Sequence, residues 1–230
     1  MSKKLMLQLD GSPVDFVVRR VLVAGYTGRD ETQVRTHIAE LERQGIPAPD
    51  SVPTVYEIDA SWATTETELT VALPRVSGEA EAALLFRGND LEDALVSVIV
   101  DFTDREEERR SIARSKLLPK PLSERVWRYS NLESVWDEIA LRSWVEPGPE
   151  RPFYQSGKLG QLLSPRDILD RLKDHLRGEL GGTVLLTGTL PLRTKEFAFT
   201  DTFACELETP EHAKLSYECR LRNKSVASDK

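Results

Sequence analysis

The chain has 230 residues, 40% of them hydrophobic and 30% charged, and a net charge of −7 from 31 basic and 38 acidic side chains. That is enough for one domain with a sizeable core, and the composition is that of a soluble globular protein. It argues against a general nucleic-acid binder, which needs a basic surface, and no apolar run approaches the length of a membrane span. The opening Lys3-Lys4-Leu5-Met6-Leu7 is interrupted by Gln8 and Asp10, so a signal-peptide apolar core is not expected. Cys205 and Cys219 have no second pair and no His cluster beside them. They read as free thiols of a reducing compartment, and the cytoplasm is the expected location.

In chain order, residues 5–9 and 16–24 read as two strands joined by a turn at Asp10-Gly11-Ser12-Pro13, the second ending at Gly25. Asp30 can cap a helix from Glu31 to about Gln44, stopped by Gly45. Val34, Ile38 and Leu41 form its apolar stripe, with His37 on the stripe's edge. A proline-stiffened connector, residues 46–53, leads to a short strand, Val55 to Ile58. Ser61 to Glu68 reads as a loop, Leu69 to Leu73 as a strand, and Gly78 to Leu85 as the next. A β-branched run, Val98-Ile99-Val100, leads into Asp101, and residues 104–116 read as a solvated charged segment. Ile139 to Val145 is expected to hairpin onto Pro152 to Gln155. Ser164 and Pro165 start a helix to about Leu176. Thr183 to Leu186 is a buried strand ending in Thr187-Gly188-Thr189, and two last strands cover 202–207 and 214–219. Many short strands with two clear helices predict a β-rich α+β fold. The expected organisation is one unit: N-terminal strands and helix (1–60), a catalytic core (61–222) and a polar tail (223–230).

Three patterns carry chemistry. On a strand, Glu79 and Glu81 project from one face, and their like charges call for a neutralising partner. With Asp101 from a neighbouring strand they offer three hard oxygen donors, the type Mg²⁺ and Mn²⁺ take. A solvated Glu-x-Glu edge with an ordinary turn aspartate is the alternative. Second, His37 and Glu40 are one helical turn apart. A carboxylate beside an imidazole suits a general base that activates water, or the pair is an incidental solvated one. Third, a strand ending in Thr-Gly-Thr presents a hydroxyl and backbone donors that can hold a carboxylate, or is an ordinary tight turn.

In this order the motifs resemble the fumarylacetoacetate hydrolase superfamily, nearest to its acylpyruvase and oxaloacetate decarboxylase branch or to a family allied to it. His37 and Glu40 resemble the branch's His-x-x-Glu dyad. Glu79-Ala80-Glu81 looks like its Glu-x-Glu metal pair. Asp101-Phe102-Thr103-Asp104-Arg105-Glu106 resembles its Asp-x-Thr-x-Arg-Asp. Residues 182–189 look like its Gly-Asp-Val-Ile-x-Thr-Gly-Thr signature, and the hairpin ending at Gln155 is similar to its Arg-Gln strand pair. The resemblance spans roughly residues 20–220. It implies a β-rich fold rolled around a Mg²⁺ or Mn²⁺ site held by Glu79, Glu81 and Asp101. It implies His37, oriented by Glu40, as base, and Lys116 beside the substrate as a further catalytic group. Thr189, Gln155 and Arg105 complete the substrate residues, with Arg105 as a brace for Asp101.

The sequence departs from the family pattern in places. Asp101 follows Glu81 by only 20 residues, Gly78 stands where a His is frequent, and Leu190 separates Thr189 from Pro191. These positions surround the substrate and bear on its identity. The implied activity is metal-dependent hydrolysis of a carbon–carbon bond in a 2-oxo acid or β-diketone. Decarboxylation, hydration or isomerisation at the same metal is the alternative, and a non-catalytic scaffold the third reading. Relatives of this kind are usually dimers, so a homodimer acting on a small molecule, without nucleic acid or membrane, is expected.

Overall fold

The computed structural model describes residues 2–43, 45–71, 75–146, 151–173, 176, 178–194 and 196–223. Its strands, in chain order, are β1 (Lys3–Leu9), β2 (Ser12–Val18), β3 (Arg20–Gly25), β4 (Thr54–Asp59), β5 (Ala63–Thr64), β6 (Glu68–Val71), β7 (Val76–Leu85) and β8 (Leu95–Asp104). Then follow β9 (Lys120–Pro121), β10 (Arg125–Arg128), β11 (Ala140–Trp144), β12 (Gln155–Lys158), β13 (Thr183–Thr189), β14 (Thr202–Glu208) and β15 (Lys214–Asn223). The helices are α1 (Glu31–Arg43), the single turn α2 (Ile112–Ser115) and α3 (Pro165–Leu172). The β-rich α+β class expected from the sequence is the one observed.

Eight strands form a curled mixed sheet in the order β2-β1-β10-β8-β7-β13-β3-β4. Five more form a second sheet, β12-β11-β14-β15-β6, and β5 pairs with β9. The longest pairing, β7 against β8, runs antiparallel from Val76↔Asp104 to Leu85↔Leu95. Successive β7 side chains point to opposite faces, and this divides the core in two. Ala80, Ala82 and Leu84 face the second sheet with Leu141, Phe203, Leu207 and Leu215. Ala83 and Leu85 face the inside of the curl with Leu7, Val18, Val21, Ile99 and Leu122. Burying each large apolar side chain contributes on the order of 2 kcal/mol. Glu79 and Glu81 share the parity of Ala83 and Leu85, so they lie on the inner face where that apolar stripe ends.

Several expected boundaries shift for identifiable reasons. The strand read over 16–24 is two strands. β2 hairpins onto β1, and β3 crosses to lie parallel to β13 and antiparallel to β4. The break falls at Arg19, whose amide donates to the Gly182 carbonyl at 2.7 Å. The loop read over 61–68 contains a 3-10 turn at Ala60–Trp62, started by Asp59 accepting from the Ser61 amide, then β5. Alternation alone missed it because the anchor is a pair of small buried residues, Ala60 and Ala63. β6 starts at Glu68, and the last residues of its expected span, 72–73, lie outside the described residues, as do Gln44, Pro147-Gly148-Pro149 and residues 224–230 of the expected tail. β11 pairs with β12 as Ser143↔Gln155, so the second arm of that hairpin begins where it was expected to end. α3 has the expected Ser164 cap, accepting from the Asp167 amide, but ends at Leu172. Asn223 belongs to β15, not to a tail. The segment 104–116 is not wholly solvated: Arg105, Ser115 and Lys116 are buried. Among the described residues no helix is long and apolar enough to cross a membrane, and Cys205 and Cys219 are free and buried.

Gly78 lies where β7 packs tightly against β8 and against β14 of the second sheet. A Cβ there would meet Val100 Cγ1 at 2.8 Å and ring atoms of Phe102 and Phe203 at 2.9 Å. Gly78→Ala is therefore expected to destabilise the fold by about 1–3 kcal/mol through overpacking. Urea unfolding measures this, and an unchanged midpoint would contradict the close packing.

Candidate metal centre

The β7–β8 register brings the acids together. Glu79 lies directly opposite Asp101, and Glu81 is the next same-face residue along β7. These positions are mid-strand in β7 and β8, not at strand ends as the sequence suggested. Glu81 and Asp101 are buried. Like charges this close in a dry site must be neutralised or protonated.

Three cations and a backbone amide answer them. Lys116 Nζ lies 2.5 Å from Asp101 Oδ2 and donates to Thr103 Oγ1 at 2.9 Å. Lys120 Nζ is 3.1 Å from Asp101 Oδ1 and donates to the Phe102 carbonyl at 2.7 Å. Arg105 donates to Glu79 at 2.7 Å, to Ser77 Oγ at 2.6 Å and to both Glu108 oxygens at 2.9 and 3.0 Å. Its guanidinium stacks on the Phe197 ring, 3.7 Å from the centroid. Arg105 thus braces Glu79 and not Asp101, because Asp101 is already held between two lysines. Glu81 accepts from the Gly188 amide at 2.7 Å.

Protonation follows these contacts. Burial, then the Asp101 charge, pushes the Glu81 carboxyl well above the usual range. Burial would also raise Asp101, but Lys116 and Lys120 overcome it and hold this carboxyl below its usual value. Burial would depress Lys116, yet Asp101 and Glu79 raise it above an ordinary lysine. In Lys120 burial prevails and lowers the ammonium to about 8.

The loop supporting Glu81 depends on one glycine. β13 slips register against β7 between Leu186 and Thr189, and Gly188 takes φ 96° there. A Cβ at Gly188 would strike Thr27 Oγ1 at 1.8 Å, and Thr27 Oγ1 itself donates to the Thr187 carbonyl at 2.8 Å. Thr189 Oγ1 donates to the Ala80 carbonyl at 2.8 Å and accepts from Gln155 Nε2 at 2.6 Å.

Gln155 was expected at the substrate, but its amide is fully used. Oε1 accepts from the Ala80 amide and Ser143 Oγ, each at 2.8 Å, and Nε2 also donates to the Leu190 carbonyl at 2.8 Å. It ties both sheets to the Thr189 loop and is a positioning residue.

The proposed dyad is not assembled with the acids. His37 and Glu40 are exposed on α1, where Val34 is the buried residue, so His37 does not face inward as its place in the stripe suggested. The His37 ring instead lies 6.4 Å from the ring of Tyr26, a residue with left-handed backbone, φ 57°. Burial pushes the Tyr26 phenol up to about 12, with contributions from Tyr56 and Glu108 and an opposing one from Lys116. Tyr26 thus stands between α1 and the charged cluster. Sequence reasoning missed it and two other members, Lys120 and Glu108. The only signal for Lys120 was a second lysine flanked by Pro119 and Pro121; Glu108 was hidden in a charged run.

The three acids fit a divalent cation in donor type, since all are hard oxygens. Asp101 Oδ1 is buried without an aligned hydrogen bond and has the Lys120 ammonium 3.1 Å away as an ion-pair partner. Their present orientation is less open. Among the described residues no three acidic, His or Cys side chains converge on a common point, because each carboxylate is turned to its own partner. Donor chemistry fits a metal, and the cations now at Asp101 are the Lys116 and Lys120 ammonium groups.

Residues 24–218 match the family described as "Protein of unknown function (DUF2848)". No curated protein matches the chain. Among solved structures it is similar to fumarylpyruvate hydrolase from Pseudomonas aeruginosa in complex with Mn²⁺ and pyruvate, with TM-score 0.67 and 18% identity over 96% of this chain and 97% of that one. It is similar to 5-carboxymethyl-2-hydroxymuconate delta-isomerase from Mycobacterium smegmatis, with TM-score 0.62 and 18% identity over 91% and 81% of the two chains. A protein of Oleispira antarctica described as a candidate fumarylacetoacetate isomerase/hydrolase has TM-score 0.68 and 18% identity over 94% and 99%. At these identities the likeness establishes the fold.

Replacing Gln155 by Leu strands the Ala80 amide, the Ser143 hydroxyl and the Leu190 carbonyl in a dry environment. A loss of about 3–5 kcal/mol is expected from unsatisfied groups of this kind, measured by chemical denaturation. A loss below about 1 kcal/mol would show that the amide is not the tie between the sheets.

Proposed function

The chain belongs to the DUF2848 family and has the fumarylacetoacetate hydrolase fold; from that premise we propose that it is a divalent-metal-dependent hydrolase of a carbon–carbon bond in a 2-oxo acid or β-diketone of acylpyruvate type. The observation that carries this reading is the opposed Glu79–Asp101 pair with Glu81 beside it on the inner face of the curled sheet, Glu81 and Asp101 buried and Glu79 half-buried. The reading draws support from a fold neighbour that was solved with Mn²⁺ and pyruvate.

Glu79, Glu81 and Asp101 would hold Mg²⁺ or Mn²⁺, which supplies a Lewis acid that polarises paired substrate oxygens. Lys116 and the Thr189 hydroxyl take substrate carboxylate or carbonyl oxygens, and Gly188 and Gln155 keep Thr189 and Glu81 in place. Arg105 fixes Glu79 and Glu108. His37 removes a proton from the attacking water, which requires α1 to bring its imidazole past Tyr26 to the acids, with Glu40 one turn further on to orient it. A homodimer acting on a small 2-oxo acid, without nucleic acid or membrane, is part of the same reading. A second reading, decarboxylation or isomerisation at the same metal, is favoured by the exposed His37 and by a fold neighbour that is an isomerase.

Calorimetric titration of Mg²⁺ and Mn²⁺ into chelator-stripped protein tests the metal. Binding is expected to tighten with oxalate, a mimic of a chelating 2-oxo acid, and to vanish in Glu81→Ala. No binding at millimolar metal sinks the enzyme reading and leaves a β-rich scaffold. His37→Ala separates the two reactions. Hydrolysis of acylpyruvates is expected to fall about 10²–10⁴-fold with metal affinity unchanged, whereas decarboxylation that survives the substitution favours the second reading.

A further inference from the structure

Tyr26 is held in a backbone conformation that its side chain opposes. Among the described residues three non-glycine residues have left-handed φ. Asp10 and His212 sit in the hairpin turns of β1–β2 and β14–β15, whereas Tyr26, at φ 57°, follows β3 outside any hairpin turn. A bulky aromatic residue is strained there and persists only where its surroundings over-determine it. Both flanks do so. Gly25 pairs with Thr54 of β4. The Thr27 carbonyl accepts from the Leu163 amide at 2.7 Å, and Thr27 Oγ1 donates to the Thr187 carbonyl. Thr27 also packs on Gly188, whose amide holds Glu81. The Tyr26 ring is half-buried beside the His37 ring, and the charges of Lys116 and Glu108 act on its phenol. Among the described residues this hydroxyl has no hydrogen-bond partner, whereas that of Tyr56 is shared with the Thr54 side chain. Lys116 donates to Asp101 and Thr103, which leaves it a third N–H.

We infer that Tyr26 is a catalytic residue of the proposed reaction: its phenol, together with the remaining N–H of Lys116, receives the acyl carbonyl oxygen of the substrate as that oxygen takes up charge. The inference rests on the hydrolase reading above and adds a substrate contact to it. Water adds its oxygen to the acyl carbon and yields a proton to His37, while the carbonyl electron pair moves onto oxygen, where Tyr26 and Lys116 meet it. Return of that pair breaks the carbon–carbon bond, leaving a carboxylic acid and a 2-oxo-acid enolate that takes the proton back from His37. Burial keeps the phenol protonated from neutral to mildly alkaline pH, so Tyr26 gives a hydrogen bond and no proton. A donor fixed by the backbone on both sides needs no reorganisation as the charge develops, which is the condition for stabilising it strongly. The contact serves cleavage at an acyl carbonyl. Decarboxylation develops its charge on the 2-oxo oxygen instead and makes no use of it.

The test compares the full-length wild type with Tyr26→Phe, which keeps the ring and removes only the hydroxyl. Calorimetry in saturating Mn²⁺ uses two probes: oxalate, which mimics the 2-oxo-acid end alone, and an acylpyruvate analogue with a methylphosphinate in place of the acyl carbonyl. Oxalate and Mn²⁺ are expected to bind both proteins equally, and the phosphinate to bind the variant about 10-fold or more weakly, as a lost donor to a charged transition-state oxygen requires. Acylpyruvate hydrolysis is expected to fall about 10²–10³-fold in kcat. The thermal midpoint should stay unchanged, because the hydroxyl holds nothing in the fold. Equal phosphinate affinity, an unchanged kcat, or a variant that melts well below wild type overturns the role of Tyr26 and leaves the hydrolase reading standing. A wild type that binds no Mn²⁺, or that binds it and cleaves no acylpyruvate, overturns the hydrolase reading and the role of Tyr26 with it.

Discussion

The structure depends on keeping carboxylates of one sign on the dry inner face of a sheet. Glu79, Glu81 and Asp101 end the stripe that carries Ala83, Leu85 and Ile99 into the core. Unpaired, each would carry a desolvation penalty of several kcal/mol. Arg105, Lys116, Lys120 and the Gly188 amide make the arrangement tenable, and most of the irregular structure near the site serves to deliver them. α2 and the turn before it exist to bring Lys116 back beneath β8 after a charged excursion. β9 seats Lys120 between Pro119 and Pro121, where its pairing with β5 holds the backbone still. The register slip in β13 turns the Gly188 amide toward Glu81.

A second tier of contacts fixes those cations and the loop around them. Gln155 joins β7, β11 and the turn after β13 through one saturated amide. Phe197 and Phe199 lie over Arg105 and Arg75, so the strand-free stretch between β13 and β14 crosses the cluster as an aromatic strap.

Departures from the fumarylacetoacetate hydrolase pattern acquire a physical meaning here. Where that family frequently has a His, Gly78 leaves room for Val100, Phe102 and Phe203 to close against β7. An imidazole is excluded by packing, and the second sheet approaches more closely than a side chain would permit. Leu190, inserted before Pro191, is buried in the inter-sheet core, and its carbonyl is one of the acceptors that hold Gln155. Both altered positions are thus absorbed into the packing between the two sheets, on the face of β7 opposite the acids.

Short-range pattern was enough to identify the β-rich class, the caps at Asp30 and Ser164, the parity of Glu79 and Glu81, and the order of the motifs, because each is written within a few residues of itself. That Glu79 opposes Asp101 is a matter of register between strands, and register is set by the whole apolar face of β7 and β8 acting together. Burial of a lysine or arginine leaves no local mark: Arg105 and Lys116 sit in a charged run that reads as solvated, Lys120 lies just beyond it between two prolines, and only the return of the chain beneath β8 puts them against the acids. In the same way Gln155 passes for a substrate residue in sequence, since nothing local reveals that the amide and carbonyls of Ala80 and Leu190 will consume its hydrogen bonds. His37 reads as inward-facing by periodicity, but α1 buries only Val34, so the helix face presented to the protein was decided by tertiary contact and not by the stripe.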